Sequence, residues 1–221
     1  IFCNYGDITV KAHVVEPKVM RNALKIIDIG MSGKNTSTFG PIEKQNMMVL
    51  VEQLVKCIRV LSMVLSPAVI NALQKQNVIP VLVSFLPTEP LTNSNNLQNM
   101  AIGAIYHLCR LSPPRQEQAA VAGIVPRLKF LFKAATSVWA LDLFCDLARA
   151  SDTCREQLGK YGGVDVYLKY IDDRNLSRKC LTSLVSWLSK DIELVNSHGI
   201  HQNSFVEHEL LRPNAIKKLI N

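Results

Sequence analysis

Two marks recur along this chain at intervals that fix its architecture more tightly than any single residue does. The first is a leucine followed by a small residue at the end of an apolar run. It occurs at Leu61-Ser62, Leu108-Cys109, Leu147-Ala148 and Leu188-Ser189, spaced 47, 39 and 41 residues apart. The second is a Gly or Asn that opens a further apolar run: Asn77-Val-Ile-Pro-Val-Leu, Gly123-Ile-Val-Pro-Arg-Leu, Gly163-Val-Asp-Val-Tyr-Leu and Asn214-Ala-Ile-Lys-Lys-Leu. These are spaced 46, 40 and 51 residues apart. The distance from first mark to second is 16, 15, 16 and then 26 residues. Three units therefore agree within one residue, and the fourth carries an insertion near 198–213.

The turn residues have a physical reason. Gly and Asn tolerate a left-handed backbone, so one helix can stop there and the next can leave at a steep angle. Proline near the start of the following helix costs little, because those N–H groups lack helical partners anyway. Ser66-Pro67 and Ser112-Pro113 read as N-cap plus first helical residue of a short helix between the marks. Each unit then reads as three helices: 43–63, 66–76 and 78–86; 96–110, 113–122 and 124–134; 136–150, 152–161 and 164–171; 175–190, 191–197 and 214–221. Residues 8–29 read as the last two helices of a preceding unit. A Gly/Ser/Thr/Asn-rich loop follows over 30–41, so 1–42 is a partial repeat and loop. Residues 87–96 form a polar connector, and 197–204 a loop inside the insertion.

A period of 40 to 47 residues with three helices per unit is the armadillo signature, whereas two helices would be HEAT. The expected fold is therefore all-α: an armadillo-type α-solenoid, a right-handed superhelix of three-helix repeats over 43–86, 96–134, 136–171 and 175–221. One unit cannot bury its own apolar faces, and stacking supplies both the core and a long concave groove. Composition agrees. Of 221 residues, 48% are hydrophobic, 19% charged and only 6% aromatic, which suits helices packed on helices and excludes disorder along the whole chain. The longest apolar stretch, 47–65, is broken by Glu52, Gln53, Lys56 and Arg59, so no membrane helix is expected. The chain opens on Ile1 without a secretory pattern, as a piece of a longer protein would.

The net charge of +7 is spread evenly, with 10 basic and 6 acidic groups before residue 111 and 15 and 12 after it. Only Arg178-Lys179 and Lys217-Lys218 are adjacent basic pairs. Nucleic-acid binding needs clustered charge, so a mildly basic face toward an acidic protein partner is the better reading. None of Cys3, Cys57, Cys109, Cys145, Cys154 and Cys180 forms a C-x-x-C pair, and four of them fall in apolar helical runs, where a thiol is a small buried hydrophobe. That usage suits a reducing compartment, cytosol or nucleus, and the cytoplasm is the expected one.

Signatures of phosphate loops, kinases and hydrolases are absent, and Gly30-Met-Ser-Gly33-Lys34 has neither the spacing nor the preceding strand of a phosphate loop. His198, His201 and His208 read as solvated loop histidines, and Asp172-Asp173 as a capping turn. No catalytic residue, cofactor or metal site is expected in this stretch of chain.

In armadillo proteins the third helix of each unit lines the concave side. Importins and catenins there resemble A-L-W-A-L-S-N-L-A, whose Trp and Asn ladder holds a peptide backbone. Aligning on the leucine marks puts Lys56, Gly103, Asp142 and Ser183 at the Trp positions, and Val60, His107, Asp146 and Trp187 at the Asn positions. The ladder is missing, so an importin-like grip is not expected. Lys56, His107, Arg110, Asp142, Asp146, Arg149 and Trp187 are the expected protein-binding set.

Two segments go beyond generic repeats: Arg115-Gln-Glu-Gln-Ala-Ala-Val-Ala-Gly-Ile-Val-Pro-Arg-Leu, and Leu143-Phe-Cys-Asp-Leu-Ala-Arg-Ala-Ser-Asp-Thr-Cys-Arg-Glu-Gln-Leu-Gly-Lys-Tyr-Gly-Gly-Val-Asp-Val-Tyr-Leu. They closely resemble the C-terminal armadillo region of fungal septation-initiation and mitotic-exit network kinases, and plant MAP kinase kinase kinase epsilon is similar. The resemblance is strong over 97–175, fair over 45–96 and 176–221, and weak before 42. It implies a parent serine/threonine kinase whose catalytic domain, with H-R-D and D-F-G, lies outside this stretch. It further implies recruitment to the spindle pole body or its scaffold, binding of a small Ras-like GTPase, and self-association. The residues alone leave two other classes open: a free-standing armadillo scaffold or transport adaptor, and a nucleic-acid-binding helical repeat.

Overall fold

Where apolar residues recur at three- and four-residue spacing, the backbone is helical. The computed structural model describes residues 16–32, 39–64, 66–89, 96–132, 137–198 and 205–220, and these form thirteen helices and no strand. Helix α1 (Pro17–Ser32) precedes four groups of three: α2 (Pro41–Ser62), α3 (Pro67–Lys75) and α4 (Val78–Ser84); α5 (Asn96–Cys109), α6 (Pro113–Val121) and α7 (Ile124–Leu131); α8 (Ser137–Ala150), α9 (Asp152–Lys160) and α10 (Gly163–Tyr170); α11 (Ser177–His198), α12 (Phe205–Leu210) and α13 (Pro213–Ile220). The first helix of each group is the longest, at 22, 14, 14 and 22 residues.

Helix starts follow local chemistry. Pro41, Pro67 and Pro113 occupy first helical positions, where a missing N–H costs nothing. Gly40 N donates to the Glu43 carboxylate at 2.7 Å, and Ser151 Oγ accepts from Cys154 N at 3.3 Å. The turn between second and third helices is left-handed in three groups, at Asn77 (φ 54°), Gly123 (φ 81°) and Gly162 (φ 69°). The third of these is not Gly163, as the sequence predicts, because Gly163 is already the first residue of α10. Asn214 is no turn either and sits inside α13.

Other expectations need correction. Helix α1 spans 17–32, so Gly30, Met31 and Ser32 are helical rather than loop; the earlier of the two helices expected over 8–29, and residues 33–38, lie outside the described residues. The predicted break at 190–191 is absent: α11 runs unbroken for 22 residues, with Lys190 Nζ donating to the Glu193 carboxylate at 2.6 Å across the predicted boundary. The insertion contains α12, a helix the sequence reading missed.

The substantial helix contacts run within a group or to the adjacent group. Long helix packs on next long helix along α2, α5, α8 and α11, and second helix on second helix between α6 and α9. The seam holds Val55 and Ile58 of α2, Ile102, Ile105 and Leu108 of α5, Leu143, Phe144 and Leu147 of α8, and Leu184 of α11, all buried. Each such side chain contributes about 1.5–3 kcal/mol when removed from water. A run of aromatic rings continues the seam. Phe132, Phe144, Tyr167, Trp187 and Phe205 follow one another at centroid distances of 5.3, 5.4, 6.5 and 6.2 Å. Buried hydroxyls are satisfied across groups or helices: Tyr167 Oη donates to Phe144 O at 2.8 Å, and Ser183 Oγ to Cys145 O at 2.9 Å.

Left-handed backbone costs an L-residue with a Cβ roughly 1–2 kcal/mol. Gly162→Ala is therefore expected to lower unfolding stability by about 1 kcal/mol. A urea titration should show an earlier midpoint at unchanged m-value, and an unchanged midpoint would remove the strain argument.

Candidate functional site: a groove across three long helices

Helix α5 ends because its last carbonyls are taken by side chains of the next helix. Arg115 Nη1 donates to Leu108 O at 2.9 Å, and Gln116 Nε2 to Cys109 O at 2.9 Å. The chain leaves through Leu111 in a left-handed conformation, φ 56°. The same device recurs one group later, where Arg155 Nη1 donates to Ala148 O at 3.3 Å. On α8, Asp142, Cys145, Asp146 and Arg149 follow the i, i+3, i+4, i+7 spacing of a single helix face. On α11, Arg178, Lys179 and Thr182 turn toward them. Together with Tyr106 of α5 and with Arg110 and Leu111 of the turn that follows it, these residues line a groove of about 310 Å³.

Its charges are partly matched. Lys179 pairs with Asp142 across α11 and α8, and Arg149 pairs with Asp146 one turn apart on α8. Asp142 keeps only 14% of its side chain exposed. Burial opposes the Lys179 charge, but its hydrogen bond to Asp142 and that carboxylate's charge outweigh it, so the Lys179 pKa is raised. One turn before Asp142 on α8, the Trp139 ring centre lies 5.2 Å from the Arg59 guanidinium of α2, which passes beside Gly103 of α5. A Cβ on Gly103 would sit 3.2 Å from both Arg59 Nε and Trp139 Cζ3, so a larger residue there would make both side chains give by a few tenths of an ångström.

Of the expected set, Arg110, Asp142, Asp146 and Arg149 come together in the groove. His107 lies one turn before Arg110, half-buried, its ring edge-on to Tyr106 at 5.4 Å. Lys56 is exposed on α2 and does not line the groove. Trp187 is only 2% exposed and is not a groove residue. It stacks on Phe205 and lines a second cavity, about 410 Å³, between α9, α11 and α12. The alignment missed this because it takes no account of the insertion, which delivers Phe205. Ser183 is likewise buried, and sequence reasoning missed Tyr106, Leu111, Cys145, Arg178, Lys179 and Thr182. The adjacent pair Arg178-Lys179 was the one available signal.

The groove offers binding groups rather than reactive ones. Burial pushes the Cys109 and Cys154 thiols up, and the hydrogen bond to Cys180 together with burial does the same for Cys145, so these three are thiols, not thiolates, at neutral pH. Among the described residues no three His, Cys, Asp or Glu side chains converge as metal ligands. His201 and the His198 side chain lie outside the described residues, and His208 stands beside Glu209 at 3.7 Å. No described helix is long and apolar enough to cross a membrane.

No family model matches the chain. It is 33% identical over 171 residues to MAP3K epsilon protein kinase 1 of Brassica napus, an alignment covering 76% of this chain and 12% of the kinase. It is 28% identical over 170 residues to cytokinesis protein sepH of Aspergillus terreus, covering 76% of this chain and 12% of that protein. The chain thus spans about an eighth of the length of these relatives. Among solved structures, an engineered protein shares the fold, with a TM-score of 0.55 at 14% identity, covering 98% of this chain and 51% of its own. The chain is an all-helical protein, and it is homologous to one segment of MAP3K epsilon kinases and of a fungal cytokinesis protein.

His107 yields a test. Burial first, then the positive charges of Arg59 and Arg110, hold its pKa below 6.5. The native state then binds fewer protons than the unfolded chain, so this residue makes stability rise with pH toward 6.5 and fall as pH drops below it. An NMR titration should place its midpoint below 6.5, and His107→Gln should flatten that part of the stability profile.

Proposed function

We propose that this chain is a non-catalytic protein-interaction module of a septation or mitotic-exit network serine/threonine kinase, built as an armadillo-type α-solenoid. Its groove docks a small Ras-like GTPase or a spindle-pole-body scaffold. Docking places the parent kinase in the cytoplasm at the spindle pole body and activates it for cytokinesis. The observation that carries this reading is the groove itself, assembled from matching faces of three successive long helices, so that only the stacked groups create it. One fact supports the kinase setting: the homologous segments in MAP3K epsilon protein kinase 1 and in cytokinesis protein sepH.

The test is direct binding, by calorimetry, of the purified GTP-loaded GTPase and of the scaffold to this chain. One of the two is expected to bind, and Arg110→Glu with Arg149→Glu is expected to weaken it at least tenfold while helicity and melting temperature hold. Binding of neither protein, or equal binding to the charge-reversed variant, would overturn the reading.

A further inference from the structure

The groove is not electrically neutral. Its two carboxylates are both engaged, Asp142 by Lys179 and Asp146 by Arg149. Two guanidinium groups on its walls, Arg110 just past the end of α5 and Arg178 of α11, have no anionic partner among the described residues. They stand on opposite sides of α8. Two further features of the lining are costly for a chain to maintain. Asp142 is held at 14% exposure by one ion pair. Leu111 is 88% exposed on a left-handed backbone. That conformation costs a residue with a Cβ roughly 1–2 kcal/mol, and it is normally filled by Gly or Asn. Arg115 and Gln116 hold the turn in place by bonding the carbonyls just before it. Strain kept at an exposed apolar residue beside free cations is the pattern of a binding position.

On these grounds we propose that the groove takes an extended acidic segment of a protein partner, its Asp or Glu side chains meeting Arg110 and Arg178 and an apolar residue between them resting on Leu111. This deepens the docking reading and rests on it. Adjacent helix axes lie about 8–10 Å apart, so crossing from α5 to α11 covers roughly 16–20 Å. Five or six extended residues span that distance. Guanidinium suits the task, because it presents a planar donor fork to a carboxylate and sheds water easily. Nucleic acid fits less well: the floor keeps two aspartates, and four cations against two anions do not make the continuous basic track that a phosphate backbone follows.

Fluorescence anisotropy with a labelled eight-residue peptide of Glu residues around a central Leu decides the matter. The Glu peptide is expected to bind, and the same peptide with Gln for Glu at least tenfold more weakly. Arg110→Gln with Arg178→Gln should cost the Glu peptide at least tenfold. Asp142→Asn with Asp146→Asn should tighten it severalfold, because Lys179 and Arg149 are then released to the ligand. Leu111→Gly should weaken it while leaving the melting temperature equal or higher, since the backbone strain is relieved. Equal binding of Glu and Gln peptides, no response to the arginine pair, or weaker binding by the aspartate pair would overturn the proposal. So would a single-stranded DNA oligomer that binds more tightly than the Glu peptide and depends on the same arginines. If the peptide fails while the GTPase or scaffold still loses affinity on Arg110→Glu with Arg149→Glu, only the acidic-segment proposal falls. If those proteins are also indifferent to the charge reversal, the docking function falls with it.

Discussion

Burial between neighbouring long helices is the interaction on which the rest of this structure depends. No group of three helices encloses its own apolar residues. Ile102, Ile105 and Leu108 of α5 reach zero exposure only because α2 lies on one side and α8 on the other. Helix α8 makes this plainest, since it touches α5, α6, α7, α9 and α11. Local signals such as the prolines at first helical positions and the left-handed turns decide where helices begin and end. They are worth a kcal/mol or so each, whereas the seam supplies several times that per group. Helices as short as α4, α7 and α10, at 7 or 8 residues, would not persist in water without it.

Polar contacts do a different job. Asn96 Nδ2 donates to Glu52 Oε1 at 3.0 Å between α5 and α2, Arg115 Nε to Gln74 Oε1 at 3.0 Å between α6 and α3, and Gln118 Nε2 to Asn77 Oδ1 at 3.0 Å. The exposed ones among them add little stability. They set the angle and register at which one group meets the next. Because the groove is assembled from three helices, its width and the spacing of its charges are consequences of that register. The pair Lys179–Asp142 belongs to both roles, joining α11 to α8 while disposing of a carboxylate on the groove floor.

Much of the helical scaffold was legible in the sequence, because its signals are local. Ser66-Pro67 and Ser112-Pro113 mark helix starts through the chemistry of the residues themselves, and both stand where the structure starts α3 and α6. Misreadings arose where a signal was ambiguous or its partner distant. With two glycines in succession, spacing alone could not say whether Gly162 or Gly163 takes the positive φ. Trp187 looked like a groove residue until Tyr167 and Phe205 closed over it, and Phe205 arrives from 18 residues further on. At the site, Asp142, Asp146 and Arg149 of α8 were legible, but Cys145 and the α11 wall were not, because which face of each helix lines the groove depends on tertiary packing. Leu111 could not have been read at all: leucine has no propensity for the conformation it adopts.

The two tryptophans of this chain stand in contrasting surroundings. Trp187 is enclosed among Tyr167 and Phe205 where the last two groups meet, and half-buried Trp139 carries the Arg59 guanidinium on its face, one turn before Asp142. One indole therefore senses the interior and the other senses a surface charge. The molecule comes with a pair of intrinsic fluorophores whose emission colours separate loosening of its distal end from events at its mouth, with no dye attached.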